Sequence, residues 1–223
     1  MRRLTVLRVN EIFPTIQGEA CWTGTPATFI RLQGCPVGCS WCDTKHTWHP
    51  GAESKRIGIV EMLDKQDSAP TWAEMSAEQI VTNVGHYSPR HFVITGGEPC
   101  AQDIWLLTAN LQTMGTVQIE TSGTHEIKVA PGTWVTVSPK VAMGGGLDVL
   151  PSAIAAADEI KMPVTGKADI DNLEALLVHK QERTSVWLQP VSQGHEATRL
   201  CVEACMTHRW RLSIQTHKYA GVR

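Results

Sequence analysis

Gln33 to Trp48, QGCPVGCSWCDTKHTW, holds Cys35, Cys39 and Cys42 in a Cys-x3-Cys-x2-Cys spacing. Three thiolates so close together are one short of a closed metal cage. Structural zinc takes four ligands, so it would need His46, His49, Cys201 or Cys205 as the fourth. A thioredoxin-like Cys-x2-Cys should open a helix after a strand, and CSWCDTKHTW makes a poor helix. An electron-transfer cluster on four thiolates lacks its fourth local cysteine. A [4Fe-4S] cubane on three thiolates leaves one iron open to an outside ligand, and it accounts for the count.

Such residues need a frame that gathers them. Seven segments read as strands from β-branched content and flanking turns: Thr28–Gln33, His91–Thr95, Val117–Thr121, Trp134–Ser138, Asp158–Met162, Ser185–Gln189 and Arg211–Gln215. Helical patterns fall between several of them, with a short one around Ile57–Leu63. SAEQIVTNVGHY opens on a capping box, Ser76 with Gln79. DIWLLTANLQTM and DIDNLEALLVHK place Asp103 and Asp169 at N-caps. HEATRLCVEACMTH carries Ala197, Leu200 and Ala204 at helical spacing. Alternating strand and helix argues a parallel sheet. Between the third and fourth strands, Gly123, Pro131 and Gly132 leave little room for a crossover helix. A complete eight-fold barrel takes about 250 residues, and this chain has 223. The expected fold is one α/β domain over 1–223, an open, partial β/α barrel with fewer helices than strands. Pro50–Trp72 is its most loop-like part and reads as an insertion.

Polar clusters follow six of the seven strands: Gly34 and the cysteines, TGGEP (95–99), ETSGT (120–124), SPK (138–140), QPVS (189–192) and QTHK (215–218). In parallel β/α folds the carboxyl ends of the strands form the active face. In the first strand, Ile30 and Leu32 face one way while Phe29, Arg31 and Gln33 face the other. A strand covered by helices is apolar on both sides. Arg31 therefore either points into a polar lumen, where a guanidinium can grip a carboxylate, or marks an edge strand facing solvent.

Composition narrows the classes. Net charge is -2 and no long basic run appears, so nucleic-acid binding has no electrostatic support. No apolar run is long enough to span a bilayer. MRRLTVLRVNEIF lacks the apolar stretch of a signal peptide, so a cytoplasmic protein is expected. Seven cysteines, an odd number, then suggest metal or redox chemistry, not disulfides.

With this cysteine spacing after the first strand, and with aromatic Trp41 before the last cysteine, the chain resembles the radical S-adenosylmethionine (SAM) superfamily. The resemblance implies that the open iron chelates the methionyl part of SAM and that electron transfer releases a 5′-deoxyadenosyl radical. It implies Gly96 and Gly97 beside the SAM amino group, with Glu120, Ser138, Pro139, Lys140 and Gln189 around the rest of the cofactor. Taken singly, each is also an ordinary strand-to-loop turn.

NEIFPTIQGE, CDTKHTW, VITGGEP, IETSGT, VSPK, LQP and RLSIQTHKY occur in that order. Together they are similar to the 7-carboxy-7-deazaguanine synthases, ring-contracting radical SAM enzymes of the queuosine pathway. The likeness covers nearly the whole chain apart from Pro50–Trp72. It implies conversion of 6-carboxy-5,6,7,8-tetrahydropterin to 7-carboxy-7-deazaguanine with loss of ammonia. Hydrogen is abstracted at C6 and later returned, so SAM acts catalytically. It further implies Mg2+ at Thr44, with Asp43 a turn residue. Ile16, Gln17, Gly18 and Glu19 would surround the pterin, Arg31 would hold its carboxylate, and Thr95 and His217 would complete the pocket. A homodimer and an electron donor such as flavodoxin are implied as well.

One departure stands out: members of that family commonly read Gln-Gly-Glu-Gly where this chain has Ala20. If the glycine serves a positive φ, Ala20 is strained; if it only permits close approach, one methyl is tolerated. His46, His49, His125, His195 and His208 receive no role, nor does Cys21. Cys100, Cys201 and Cys205 read as small buried hydrophobes. Two other readings stay open: a glycyl-radical activase, which shares the spacing, and a zinc-stabilised binding module without activity.

Overall fold

A computed structural model describes residues 5–48, 54–65 and 69–222. In chain order it contains β1 (Val6–Ile16), β2 (Pro26–Leu32), β3 (Lys55–Arg56), α1 (Ile59–Leu63), β4 (Thr71–Ser76) and α2 (Ala77–Val84). There follow β5 (His91–Gly96), α3 (Trp105–Gln112), β6 (Thr116–Thr121), β7 (Trp134–Val137), α4 (Pro151–Ala156) and β8 (Glu159–Val164). The chain closes with α5 (Lys167–Leu176), β9 (Ser185–Pro190), α6 (His195–His208), β10 (Arg211–Leu212) and α7 (Thr216–Ala220).

The strands form one open sheet in the order β10-β9-β8-β7-β6-β5-β2-β1-β4-β3. From β10 to β2 every pairing is parallel, and these are the seven strands read from the sequence. The last is shorter than expected: β10 ends at Leu212, and after one more bond, Ser213 N–H to the Leu188 carbonyl, the chain turns into α7. No helix joins β6 to β7, as the glycines and proline there predict.

Three strands are additions to the expected sheet. β1 runs antiparallel to both β2 and β4, pairing Ile12 with Ile30 and Leu7 with Met75. A register shift between Val9 and Glu11 breaks its alternation, and Pro14 interrupts its β propensity. β3 and β4 extend the sheet beyond β1, so residues 54–65 and 69–72 carry β3, α1 and the start of β4. Because β1 covers β2, Arg31 is not on an edge strand; its Nε donates to Glu11 Oε1 at 2.6 Å.

The helices cover one face of the sheet. Ile30, Leu32, Phe92, Ile94, Ile119 and Leu188 are buried there with Ile80, Leu107, Leu111 and Leu173 from the helices. Each such side chain contributes about 1.5–3 kcal/mol on burial. Cys201 is buried in this core, with Cys100 and Cys205 packed against it. The capping box on α2 forms as read: Gln79 N–H donates to Ser76 Oγ, and Ser76 N–H to Gln79 Oε1. The two aspartates act from other positions. Ile104 is the N-cap of α3, and Asp103 Oδ1 accepts from Trp105 N–H. Asp169 is the third residue of α5 and reaches back to the N–H groups of Gly166 and Thr165.

The opposite face, the lumen of the half-barrel, is polar. Along β8 all six residues are buried. Period-two alternation sends Ile160, Met162 and Val164 to the helices and Glu159 and Lys161 to the lumen.

Candidate active site

At the carboxyl ends of the parallel strands the lumen holds two adjoining cavities. One, of about 240 Å3, is lined by Cys35, Cys39, Cys42, Gly97, Ser138, Lys140 and Gln189 among others. The other, of about 190 Å3, is lined by Phe13, Ile16, Gln17, Gly18, Phe29, Arg31 and His217. They share Glu19, Asp43, Thr44, Thr95, Gly96 and Glu120 as a common wall. Of the residues assigned from the sequence to cofactor or substrate, Gly97, Ser138, Lys140 and Gln189 line only the first cavity, Ile16, Gln17, Gly18, Arg31 and His217 only the second, and Glu19, Thr95, Gly96 and Glu120 both. Pro139 lines neither cavity.

The cysteine loop is closed by its own backbone. Gly34 N–H donates to the Thr47 carbonyl at 2.7 Å, and Cys35 N–H to the Trp48 carbonyl at 2.6 Å. A second loop, Met143–Gly146, lies over it through Gly145 N–H to the Val37 carbonyl. A side chain at Gly145 would overlap the Pro36 carbonyl. Burial pushes the Cys35 thiol up to about 11 and raises Cys39 as well, against the opposing pull of Lys140. Metal binding would therefore displace protons here.

Among the described residues, no three His, Cys, Asp or Glu side chains converge on a single-ion site. His46 lines neither cavity, Cys201 and Cys205 lie on α6 in the core, and His49 lies outside the described residues. Among the described residues the zinc reading therefore finds no fourth ligand. Three thiols spread around one cavity suit a group that takes each sulfur on a different iron, so the residues present fit a cubane.

The Gly-Gly pair has a reason in the protein itself. Gly96 has φ +119°, and a Cβ there would overlap the backbone of Leu32; one on Gly97 would overlap the Gly34 carbonyl. Gly97 N–H donates to the Leu32 carbonyl and Glu98 N–H to the Gly34 carbonyl. Absent side chains thus let β5 lock onto the root of the cysteine loop. Glu98, unassigned in the sequence reading, is buried. It accepts from Cys100 N–H at 2.9 Å, Thr121 Oγ1 at 2.6 Å, Ser122 N–H at 2.7 Å and the Ser122 hydroxyl. It ties the TGGEP loop to the ETSGT loop. Lys140 donates to Ser138 Oγ at 2.6 Å and stands 4.9 Å from the Trp41 ring, with its pKa lowered by burial.

The shared wall centres on Lys161, also missed from sequence. Its Nζ pairs with Glu19 and, at 2.7 Å, with Glu120. Gln215 donates to Glu19 Oε1 at 2.7 Å, and Gln17 Nε2 lies 3.3 Å from Glu120 Oε1. Burial pushes the Glu19 carboxyl up, but Lys161 and its hydrogen bonds overcome this and hold it well below the usual range. For Glu120 burial wins, and its pKa is raised. Burial opposes the charge on Lys161, and the two carboxylates more than restore it. A lysine inside an apolar strand was the signal available in the sequence.

In the second cavity Arg31 stands over Phe13, with its centre 5.8 Å from the ring, and Phe13 stacks on Phe29. Burial lowers the pKa of His217, so the imidazole is neutral at pH 7. A Cβ on Gly18 would collide with His217, and Thr216 N–H donates to the Gly18 carbonyl at 2.9 Å. The C-terminal QTHK segment is thus folded onto the Gln-Gly-Glu turn. Ala20 has φ +51°, the strained alternative. Its N–H donates to Ser213 Oγ, whose hydroxyl donates to Gln189 Oε1.

Against known proteins, a family described as "4Fe-4S single cluster domain" matches residues 17–130. The chain is 50% identical over 219 residues to the 7-carboxy-7-deazaguanine synthase of Escherichia coli (strain K12), covering 96% of this chain and 98% of that one. It is 42% identical over 220 residues to the protein so named from Buchnera aphidicola subsp. Schizaphis graminum, covering 96% and 98%. A solved structure, "Crystal structure of QueE from Escherichia coli", matches with a TM-score of 0.89 and 48% identity over 94% of each chain.

Proposed function

Since this chain belongs to the 7-carboxy-7-deazaguanine synthase family, we infer that its two cavities hold cofactor and pterin on either side of one polar wall. The enzyme is a lyase that performs the radical SAM ring contraction of the queuosine pathway. Family membership sets aside the glycyl-radical activase and the zinc module. When bound, the [4Fe-4S] cluster and SAM supply the 5′-deoxyadenosyl radical that takes hydrogen from C6 of 6-carboxy-5,6,7,8-tetrahydropterin.

The chain's own residues bind, orient and exclude water. Cys35, Cys39 and Cys42 would carry the irons. Gly96, Gly97, Ser138, Lys140 and Gln189 would line the SAM side, with Glu120 facing both ligands. Arg31 presents a guanidinium to the pterin carboxylate, steadied through Nε by Glu11. Gln17, Glu19 and the neutral His217 offer donors and acceptors to the pterin edge. Thr95 stands on the shared wall, between the two ligands. Ile16 and the backbone of Gly18 complete the substrate side. Thr44, on the same wall, would give Mg2+ one hydroxyl ligand, the remainder coming from water and substrate. A homodimer and a flavodoxin-type electron donor belong to the same reading, through the family. Among the described residues no helix is long and apolar enough to cross a membrane.

The observation that carries this reading is the shared wall, with three thiols on one side and Arg31 and His217 on the other. Anaerobic reconstitution followed by incubation with SAM, reductant and the carboxypterin tests it. The expected result is an iron-sulfur chromophore and 7-carboxy-7-deazaguanine, with both lost in Cys39→Ala and the rate raised by Mg2+. Deoxyadenosine without the deazaguanine would overturn the assignment.

A further inference from the structure

Cys42 has neighbours that a bare metal ligand does not need. Its Sγ accepts from the Trp48 indole Nε1–H at 3.3 Å and from the Thr44 backbone N–H at 3.4 Å, and Thr44 Oγ1 stands 3.5 Å away. Trp48 is held in place on two other sides. Its carbonyl accepts from Cys35 N–H at 2.6 Å, and Lys45 Nζ lies 5.7 Å from its ring centre. One residue thus fastens the backbone of the first cysteine and aims a donor at the sulfur of the last. The ring also lines the cavity that the thiols face.

We propose that Trp48 sets the reduction potential of the cluster, raising it through its indole N–H···S bond to Cys42. The inference rests on the cluster reading of Cys35, Cys39 and Cys42. One electron from an outside low-potential donor converts the oxidised cluster to the reduced one, and no covalent bond of the protein forms or breaks. The added charge spreads onto the sulfurs, and a hydrogen bond to the more charged acceptor is the stronger one. Hydrogen bonds to cluster sulfurs are accordingly one of the protein's levers on potential. A donor at Cys42 makes the cluster easier to reduce and the reduced cluster a milder reductant toward SAM. Trp48 is therefore a positioning residue whose effect reaches the chemistry through a sulfur.

The test uses the holoenzyme without SAM, reconstituted anaerobically and poised with dithionite and mediators, the reduced fraction being read by EPR. Trp48→Phe keeps the ring and removes the donor. With iron content unchanged, the ratio of reduced to oxidised cluster at a fixed potential is expected to fall about three- to tenfold, tenfold being about 59 mV for a one-electron couple. An unchanged ratio at full iron content overturns the proposal. If Trp48→Phe does not retain its irons, the unsubstituted enzyme decides. Labelled with 15N-indole tryptophan and reduced, it should show a 15N coupling to the cluster in pulsed EPR that persists in Trp41→Phe. Absence of that coupling overturns the proposal. A wild-type protein that cannot hold four irons would instead sink the cluster reading, so the two failures are distinguishable.

Discussion

The floor and the rim of the lumen are built from the same strands only two residues apart, yet they are wired in opposite ways. On the floor, His91 bridges Thr116 and Gln118 at 2.8 and 3.0 Å, and Gln118 donates to Thr136 at 2.9 Å. Thr136 donates to Glu159 at 2.8 Å, whose other oxygen accepts from Cys21 N–H. Trp22 seals this layer, stacked 4.3 Å from His91. Apart from the Trp22 indole N–H, which has no hydrogen-bond partner among the described residues, its polar groups are bonded mostly to each other, with Gln118 also accepting from Gln17 and donating to Glu120 on the rim. On the rim, two residues along β6 and β8, stand Glu120 and Lys161, and beyond them thiols, Lys140 and Arg31 facing open space. Closed polar networks specify a fold. Groups with donors to spare, held by neighbours that are satisfied, can bind. Burial alone does not distinguish the two.

Lys161 is where the comparison can be broken hardest, because it belongs to the rim but is paired like the floor. Lys161→Met leaves Glu19 and Glu120 without their cation in a buried site. The expected loss is about 3–5 kcal/mol of folding stability, read by urea denaturation. Adding Glu120→Gln should recover part of it. A loss under about 1 kcal/mol would mean that water, not Lys161, satisfies the wall.

Arg31→Lys sharpens the distinction from the ligand's side. It keeps the charge near Glu11 but removes the planar fork. The expected change is about a 10- to 100-fold fall in kcat/KM for the carboxypterin, carried mainly by KM. A fall confined to kcat would place Arg31 away from the carboxylate.

The floor answers to pH. Burial lowers the pKa of His91 below the usual 6.5, while its bond to Gln118 pulls the other way. The unfolded chain then takes up a proton below pH 6.5 that the folded chain refuses. Stability is fully present above that value and falls as pH drops toward the folded pKa. The slope from this imidazole is at most about 1.4 kcal/mol per pH unit. Denaturation midpoints measured across pH 5–8 in wild type and His91→Gln check it: the variant should show the shallower slope.

The same division explains what could be read in advance. The seven parallel strands and the cysteine loop carry local signals, β-branched runs and a fixed spacing, and α6 was bounded by its own periodicity. The open half-barrel followed from the missing helix between β6 and β7. β1 was hidden by its register shift and by Pro14. Lys161 was hidden because its partners lie 142 and 41 residues away, a separation that no motif encodes. Glu98 sat inside a recognised motif, but its bonds to Thr121 and Ser122 needed the sheet order to be known. The glycines at 96 and 97 were noticed for a ligand, and the structure adds the backbone that packs against them.

Floor and rim meet in the turn around Ala20, and there the smallest effect is expected. Glu19 reaches up to Lys161, Cys21 N–H reaches down to Glu159, and Ala20 between them takes φ +51°. A left-handed conformation costs an L-residue about 1–2 kcal/mol. Glycine removes that strain, but it costs about 0.4–1 kcal/mol through a more flexible unfolded chain. It also forfeits a buried methyl, at about 0.8 kcal/mol per carbon. Ala20→Gly should therefore gain only about 0.5 kcal/mol or less, measured as a small upward shift of the denaturation midpoint. Because Ala20 N–H fixes Ser213, and through it Gln189, the larger consequence of the substitution is geometric. Alanine here keeps a residue with less backbone freedom than glycine at the join between Glu19 on the rim and Cys21 on the floor, at the cost of a little strain.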